Sequence, residues 1–487
     1  MSRPALFCGL FAVLFVTGCA HYPLNEPADT FDAEAGYRFD ALEASSANSD
    51  SLFICLAFSG GGTRAAALAF GVLQALDEAR VTIDGEPRSL LDEVDCISSV
   101  SGGSFTAAYY GLYRQRLFED FRQEFLDRDI QGALARRLFN PVNLFRVASP
   151  HYGRIDLAAD YYHRHIFDEA TYADLQRTGR PFVIVNATNL GPGRRFAFDQ
   201  THFDALGSRL ANFPVARAVA ASSAFPYLLS PISLVNHPTA SDYQPPWWYR
   251  NARSPDQRHT RRGDAAANLS VYLDDRNTHV HLMDGGLSDN IGARAILDAW
   301  DRGFIRTRIN DGEIERLVVI VVNARTESED TISRKARPPG LFTVAGKTAT
   351  VAMDNYSFES VERLRNVLYE RVQTQRDLAA CTELVTEHCP EATAPLPFPV
   401  DVDPYVIEVN FEDADRLPGE DPRYYLDLPT TFKLDADQID RLIAIGPKLL
   451  EASGPYQCLL EVIEAEAEGR ERPQECPVGA GIRGRAD

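Results

Sequence analysis

The sequence is poor in positive charge and poorer still in lysine. Its 487 residues hold 49 Lys and Arg against 69 Asp and Glu, a formal charge of −20. Only Lys335, Lys347, Lys433 and Lys448 are lysines. That balance excludes the broad basic footprint on which nonspecific nucleic-acid binding rests. Long hydrophobic runs are missing as well. The apolar run Ala5 to Val16 is too short to cross about 30 Å of hydrocarbon. No internal repeat is present. What remains is ordinary globular composition, 45% hydrophobic and 24% charged, which rules out disorder for most of the chain. The length suits either roughly three domains or one large α/β unit with additions.

Met1 and Arg3 followed by that short apolar run form an export signal. Val16-Thr17-Gly18-Cys19 resembles a bacterial lipobox, which implies cleavage behind Gly18 and lipid on Cys19. Residues 1–18 are thus expected to be a lipoprotein signal peptide. Residues 19–50, polar and acidic without an apolar period, suit a tether between lipid and folded domain. Ala20 lacks the aspartate that holds lipoproteins on the inner membrane of enteric bacteria, so the periplasmic face of the outer membrane is the expected address. In that oxidising compartment, Cys55 and Cys96 lie in apolar runs and read as buried free thiols. Cys381, Cys389, Cys458 and Cys476 are candidates for disulfides, with three pairings open.

Ser51–Phe58 is a continuous apolar run of strand length, followed by Gly60, Gly61 and Gly62 and a helical pattern from Arg64 to Ala79. Further strands are expected within 91–100, 182–187, 279–283, 317–322 and 405–409, several with helices between them. Alternation of this kind predicts an α/β fold with a mostly parallel central sheet covered on both faces. Segments 236–268 and 326–340 read as polar insertions or connections. Adjacent Trp247 and Trp248 in the first of these would suit a membrane interface or pack over the domain's own core.

Three stretches carry the chemistry. In Val94–Ser104 an apolar strand runs into Ser101 and then into a helix, the layout of a nucleophile elbow. So tight a turn needs nearly side-chain-free neighbours, a need that Gly102 and Gly103 meet and that Ser99, in place of the usual first glycine, meets less fully. Gly60, Gly61 and Gly62 at a helix start leave backbone N–H groups ready for an anion, which in acyl transfer is the oxyanion. Gly60, Gly62 and Ala65 with Asp84 also fit a dinucleotide fingerprint, an alternative that leaves Ser101 without a role. Asp284 ends a strand and is followed by Gly285 and Gly286. The only histidine after it is His388, in a polar, cysteine-flanked loop, so a Ser-Asp-His triad lacks its last member. His279 and His281 share a strand face without a nearby third ligand, and no metal or cofactor is expected.

Taken together, Ser59–Arg64 (SGGGTR), 99–103 (SVSGG), 220–232 (AASSAFPYLLSPI) and 284–286 (DGG) resemble, in order and spacing, the patatin-like phospholipases and, more distantly, eukaryotic cytosolic phospholipases. The likeness covers roughly Ser51 to Trp300. It implies a three-layer α/β/α fold with Ser101 as nucleophile, Asp284 as its base, Gly61 and Gly62 as oxyanion donors, and Gly60 and Arg64 as support for the loop, Arg64 alternatively for a substrate phosphate. Ser99, Gly102 and Gly103 would form the elbow and Gly285 and Gly286 the acid turn. Residues 51–325 are then the catalytic domain, and 326–487 an extension that completes the fold, within which LPTTFKL (428–434) resembles the closing part of bacterial members. The expected activity is hydrolysis of fatty acyl esters of membrane lipids. The competing expectation is a membrane-tethered lipoprotein that binds lipid without turnover.

Overall fold

The computed structural model describes residues 20–41, 48–226, 228–327, 333, 336–392 and 402–473. Cys19 and the signal segment lie outside them, as does Cys476.

The chain enters with β1 (Leu52–Phe58) and α1 (Thr63–Glu78), then a ribbon of β2 (Arg80–Ile83) and β3 (Glu86–Ser89), then β4 (Val94–Val100) and α2 (Gly102–Tyr113). Helices α3 (Ile130–Leu138), α4 (Pro141–Val147) and α5 (Arg154–His165) lead to β5 (Phe182–Asn189) and β6 (Arg194–Ala197). After α6 (Val215–Ser222) come β7 (Ile232–Val235), β8 (His279–Asp284), α7 (Ala293–Arg302) and β9 (Arg316–Asn323). The 48-residue α8 (Leu341–His388), β10 (Asp403–Asn410) and α9 (Ala436–Glu451) follow.

Among the described residues the main sheet has the order β10-β9-β1-β4-β5-β8-β7, with β6 beside β5. β10, β9, β1, β4 and β5 are mutually parallel, and β8 is antiparallel to both β5 and β7. Every residue of β1, β4, β5 and β9 is buried, as near-continuous apolar runs require when helices cover both faces. The fold is therefore the expected three-layer α/β/α arrangement. All six expected strands are present. The β2–β3 ribbon, β6 and β7 are short, and their residues carry no apolar run by which to find them.

The C-terminal segment is built into this unit. β10 pairs along its whole length with β9. Helix α9 lies so close on α1 that a Cβ added to Gly71 would stand 2.2 Å from the Ile443 carbonyl oxygen.

Three expectations need correction. Cys55 and Cys96 are joined in a disulfide, because the β1–β4 register sets them directly opposite one another with their Cα atoms 4.6 Å apart. Of the other candidates, Cys381 and Cys389 are free and exposed, and Cys458 is disulfide-bonded. Nor is the described part of 19–50 a loose tether. Tyr37 is buried against Phe182, its hydroxyl donating to the Val183 carbonyl and accepting from the Val183 N–H. Asn25 bonds both backbone groups of Val235 and its neighbourhood, and Arg38 pairs with Asp204 at 2.6 Å. These are point contacts through polar and aromatic groups, so no apolar period announces them. Finally, the adjacent tryptophans part company. Trp248 is buried beneath Arg302, whereas Trp247 is 54% exposed. Among the described residues no helix is long and apolar enough to cross a membrane.

Candidate active site

Register brings the site together. Phe58 of β1 is level with Ser99 of β4, Val100 with Asn186 of β5, and Ala187 with Asp284 of β8. Asp284 ends β8, which runs antiparallel to β5. Asp284 still reaches the C-terminal edge of the parallel strands because β8 overlaps only Ala187, Thr188 and Asn189 of β5 and approaches from outside.

Ser101 caps α2 at φ 49°, ψ −119°, a left-handed conformation that a side-chain-bearing residue holds only under tertiary constraint. Its hydroxyl donates to Asp284 Oδ2 at 3.0 Å. Its N–H donates to Ser222 Oγ at 2.8 Å. Close approach explains the flanking glycines. A Cβ on Gly102 would lie 2.1 Å from the Gly62 carbonyl oxygen, and one on Gly103 would lie 2.7 Å from that of Ser59. On the strand side no such crowding exists. Ser99 is buried and donates to the Ile184 carbonyl at 3.2 Å, so serine fits where glycine is usual.

Asp284 is 3% exposed, and burial raises its carboxyl to about 7, against the smaller lowering effects of the Gly286 N–H and the Ser101 hydroxyl. Gly286 N–H donates to Oδ1 at 2.8 Å, which fixes the carboxylate and leaves Oδ2 for Ser101. The Asp284 and Gly285 N–H groups donate to the carbonyls of Ala224 and Ser222, both at 3.1 Å. The 220–232 block thus holds the Ser101 turn and the Asp284 turn together. Ser222 is the site residue that residue-level reading missed. The only signal for it was its place in one of the four recognised blocks.

The glycine loop faces the same point. Gly60 N–H is engaged with the Asn290 carbonyl at 2.9 Å. Gly61 and Gly62 stand at φ 142° and 62°, and their N–H groups make no hydrogen bond among the described residues. Arg64 is 2% exposed and spends its donors on protein: Nε on Ala324 O at 3.0 Å, Nη1 on Leu428 O at 2.6 Å and Nη2 on Thr430 Oγ1 at 3.1 Å. Burial pushes the guanidinium down to about 9, which still leaves it charged at neutral pH. With Thr63 N–H donating to Thr431 O at 2.9 Å, the 428–434 segment is clamped onto the loop. Arg64 is therefore a strut between loop and C-terminal segment.

Two cavities meet at Ser101 and Asp284. The more polar of the two, of about 380 Å³, is lined by Gly60, Gly61, Asn290, Arg325 and Lys347 together with Phe225 and Met353 among others. The second, of about 480 Å³, is walled by Leu134, Leu138, Leu157, Leu228, Leu229 and Phe432.

The dinucleotide alternative fails on topology. Asp84 sits exposed in the turn of the separate β2–β3 ribbon, whereas that fold needs its acid at the end of the next strand of the main sheet. His388 is exposed at the end of α8 and lines neither cavity. His279 and His281 stack side by side, and among the described residues no three His, Cys, Asp or Glu side chains gather as a metal site would need.

This combination of sheet, elbow and glycine loop is a patatin-like α/β architecture. Residues 56–297, just under half of the chain, match the family model described as patatin-like phospholipase, so the chain carries a patatin-like phospholipase domain there. Among solved structures it is similar to human GIVD cytosolic phospholipase A2 in complex with methyl gamma-linolenyl fluorophosphonate, at 13% identity and a TM-score of 0.39, covering 87% of this chain and 60% of that one. Another structure of the human enzyme matches at 14% identity and a TM-score of 0.34, over 56% of this chain and 45% of that one. VipD from Legionella pneumophila matches at 12% identity and a TM-score of 0.28, over 84% and 68%. The chain thus spans about half to three-fifths of the human enzyme's length. No curated protein matches its sequence.

Proposed function

We propose that the protein hydrolyses fatty acyl esters of lipids through a Ser101–Asp284 dyad. One observation carries the reading: a buried serine–carboxylate hydrogen bond of 3.0 Å at the junction of a polar and an apolar cavity. Asp284 accepts the Ser101 proton, and the alkoxide attacks the ester carbonyl carbon. Gly61 and Gly62 N–H groups hold the oxyanion. Collapse breaks the bond to the alcohol oxygen, which takes the proton from Asp284 as it leaves. Water, giving its proton to Asp284, then attacks the acyl-enzyme, and collapse breaks the bond to Ser101 Oγ, which takes that proton back from Asp284 as the fatty acid is freed. A carboxylate raised to about 7 works in the range where imidazole serves in a triad, which makes a histidine unnecessary. The apolar cavity accommodates the acyl chain and the polar one the remainder of the lipid.

The test is fluorophosphonate labelling of the full chain beside Ser101→Ala and Asp284→Asn, with fatty acid release from phospholipid vesicles followed in parallel. Labelling at Ser101 alone and turnover lost in both variants is expected; hydrolysis retained by Ser101→Ala would defeat the assignment. We also propose that Cys19 carries lipid and anchors the protein at the periplasmic face of the outer membrane. The Val16–Cys19 pattern supports this, and palmitate incorporation abolished by Cys19→Ala tests it.

A further inference from the structure

Four large apolar side chains within seven residues stand open to solvent: Phe139, Val142, Leu144 and Phe145, exposed by 77, 68, 54 and 43%. A cluster this dense on a protein surface marks an interaction site. It belongs to the end of α3 and to α4, and the same α3 supplies Leu134, Ala135 and Leu138 to the wall of the apolar cavity that ends at Ser101. Leu228 lines that cavity too and is 55% exposed, which marks its mouth. The patch therefore begins at the residue after Leu138, where α3 leaves the cavity wall.

Charge singles out the occupant. Residues 130–153 contain Arg136, Arg137 and Arg146 and no Asp or Glu, in a chain of net charge −20. Arg137 lies over Tyr161 and bonds His165 Nε2 at 2.8 Å, and Arg146 lies over Tyr152 and pairs with Asp160 at 3.4 Å, so both guanidinium groups are fixed by neighbouring side chains, two residues and one residue along the chain from the apolar cluster. Apolar residues bordered by arginines match an anionic bilayer, whose headgroups take the cations while the acyl region takes the rings.

We propose that the Phe139–Phe145 face docks on an anionic phospholipid surface and feeds acyl chains into the cavity. The inference rests on the acyl-hydrolase reading for its purpose, though not for its measurement. The full chain is used with Cys19→Ala, so that no attached lipid contributes. In this background Phe139→Trp should show a blue-shifted emission with phosphatidylglycerol vesicles, and lipids brominated in the acyl chains should quench it beyond the level of the parent. A triple variant, Phe139→Ser, Leu144→Ser and Phe145→Ser, should lose at least tenfold in vesicle hydrolysis while cleavage of a monomeric short-chain ester stays within twofold. Quenching no greater than in the parent would overturn the proposal, as would unchanged vesicle hydrolysis. A dimer in sedimentation that the triple variant dissociates would also overturn it, by assigning the face to a second copy of the chain. Should the parent cleave neither substrate, the acyl-hydrolase reading falls, and the quenching still decides the docking. Should the triple variant fail to fold, both activities vanish together and the Phe139→Trp result stands alone.

Discussion

Ser101 donates its hydroxyl to Asp284 at 3.0 Å although 183 residues separate the two, and Ser222 accepts from the Ser101 N–H through its hydroxyl and from the Gly285 N–H through its carbonyl. The pair is made by β4 and β8, strands that do not touch each other but share β5 as neighbour. Its properties follow from that burial.

Because the Asp284 carboxyl is raised to about 7, hydrolysis should climb with pH along a limb centred near 7, as the base form is created. Stability runs the other way. A carboxyl raised above its unfolded value stabilises fully below about pH 4, and that contribution is lost as pH rises through 7. Asp284→Asn should therefore gain stability relative to the parent between pH 5 and 8, by roughly 4 kcal/mol at most. Urea denaturation at several pH values checks it; a difference that does not grow with pH would contradict the assigned burial effect.

The φ of 49° at Ser101 is a local cost borne for the position of the hydroxyl. Ser101→Ala and Ser101→Gly both remove that hydroxyl, and only alanine keeps the Cβ. Ser101→Gly should be the more stable of the two by about 1 kcal/mol, with neither variant active. Equal unfolding midpoints would mean the turn is relaxed.

Ser222→Ala removes the acceptor of the Ser101 N–H and a hydroxyl 3.1 Å from Ser104 Oγ. An unsatisfied buried N–H costs about 1–3 kcal/mol. If that strain is relieved by movement of the elbow, kcat should fall about tenfold or more while KM changes little. A loss confined to stability would limit Ser222 to a packing role.

Arg64→Lys keeps the charge but cannot reach the Ala324 and Leu428 carbonyls and Thr430 together. We expect a loss of about 1–3 kcal/mol, measured by thermal unfolding, and faster proteolysis after Leu428 as the clamp on the glycine loop opens. Wild-type resistance to protease in this variant would remove Arg64 from that role.

The sequence by itself determined the parts that local chemistry dictates. Buried parallel strands must be apolar runs, and a tight strand-to-helix turn must be flanked by glycine, so β1, β4, β5, β9, β10 and the elbow at Ser101 were all legible, and antiparallel β8 showed through the short apolar stretch before Asp284. The absence of a suitable histidine after Asp284 pointed to a dyad for the same reason. Tertiary structure alone decided what depends on register and approach. It set Cys55 opposite Cys96, brought Asp284 to Ser101 on an antiparallel strand, and placed Ser222 against the Ser101 turn. It also turned residues 20–41 from a tether into docked chain and Arg64 into a strut against Ala324, Leu428 and Thr430. These are single contacts between segments far apart in the chain. Each depends on which strand edge lies beside which, and no periodicity of 2 or 3.6 residues records that.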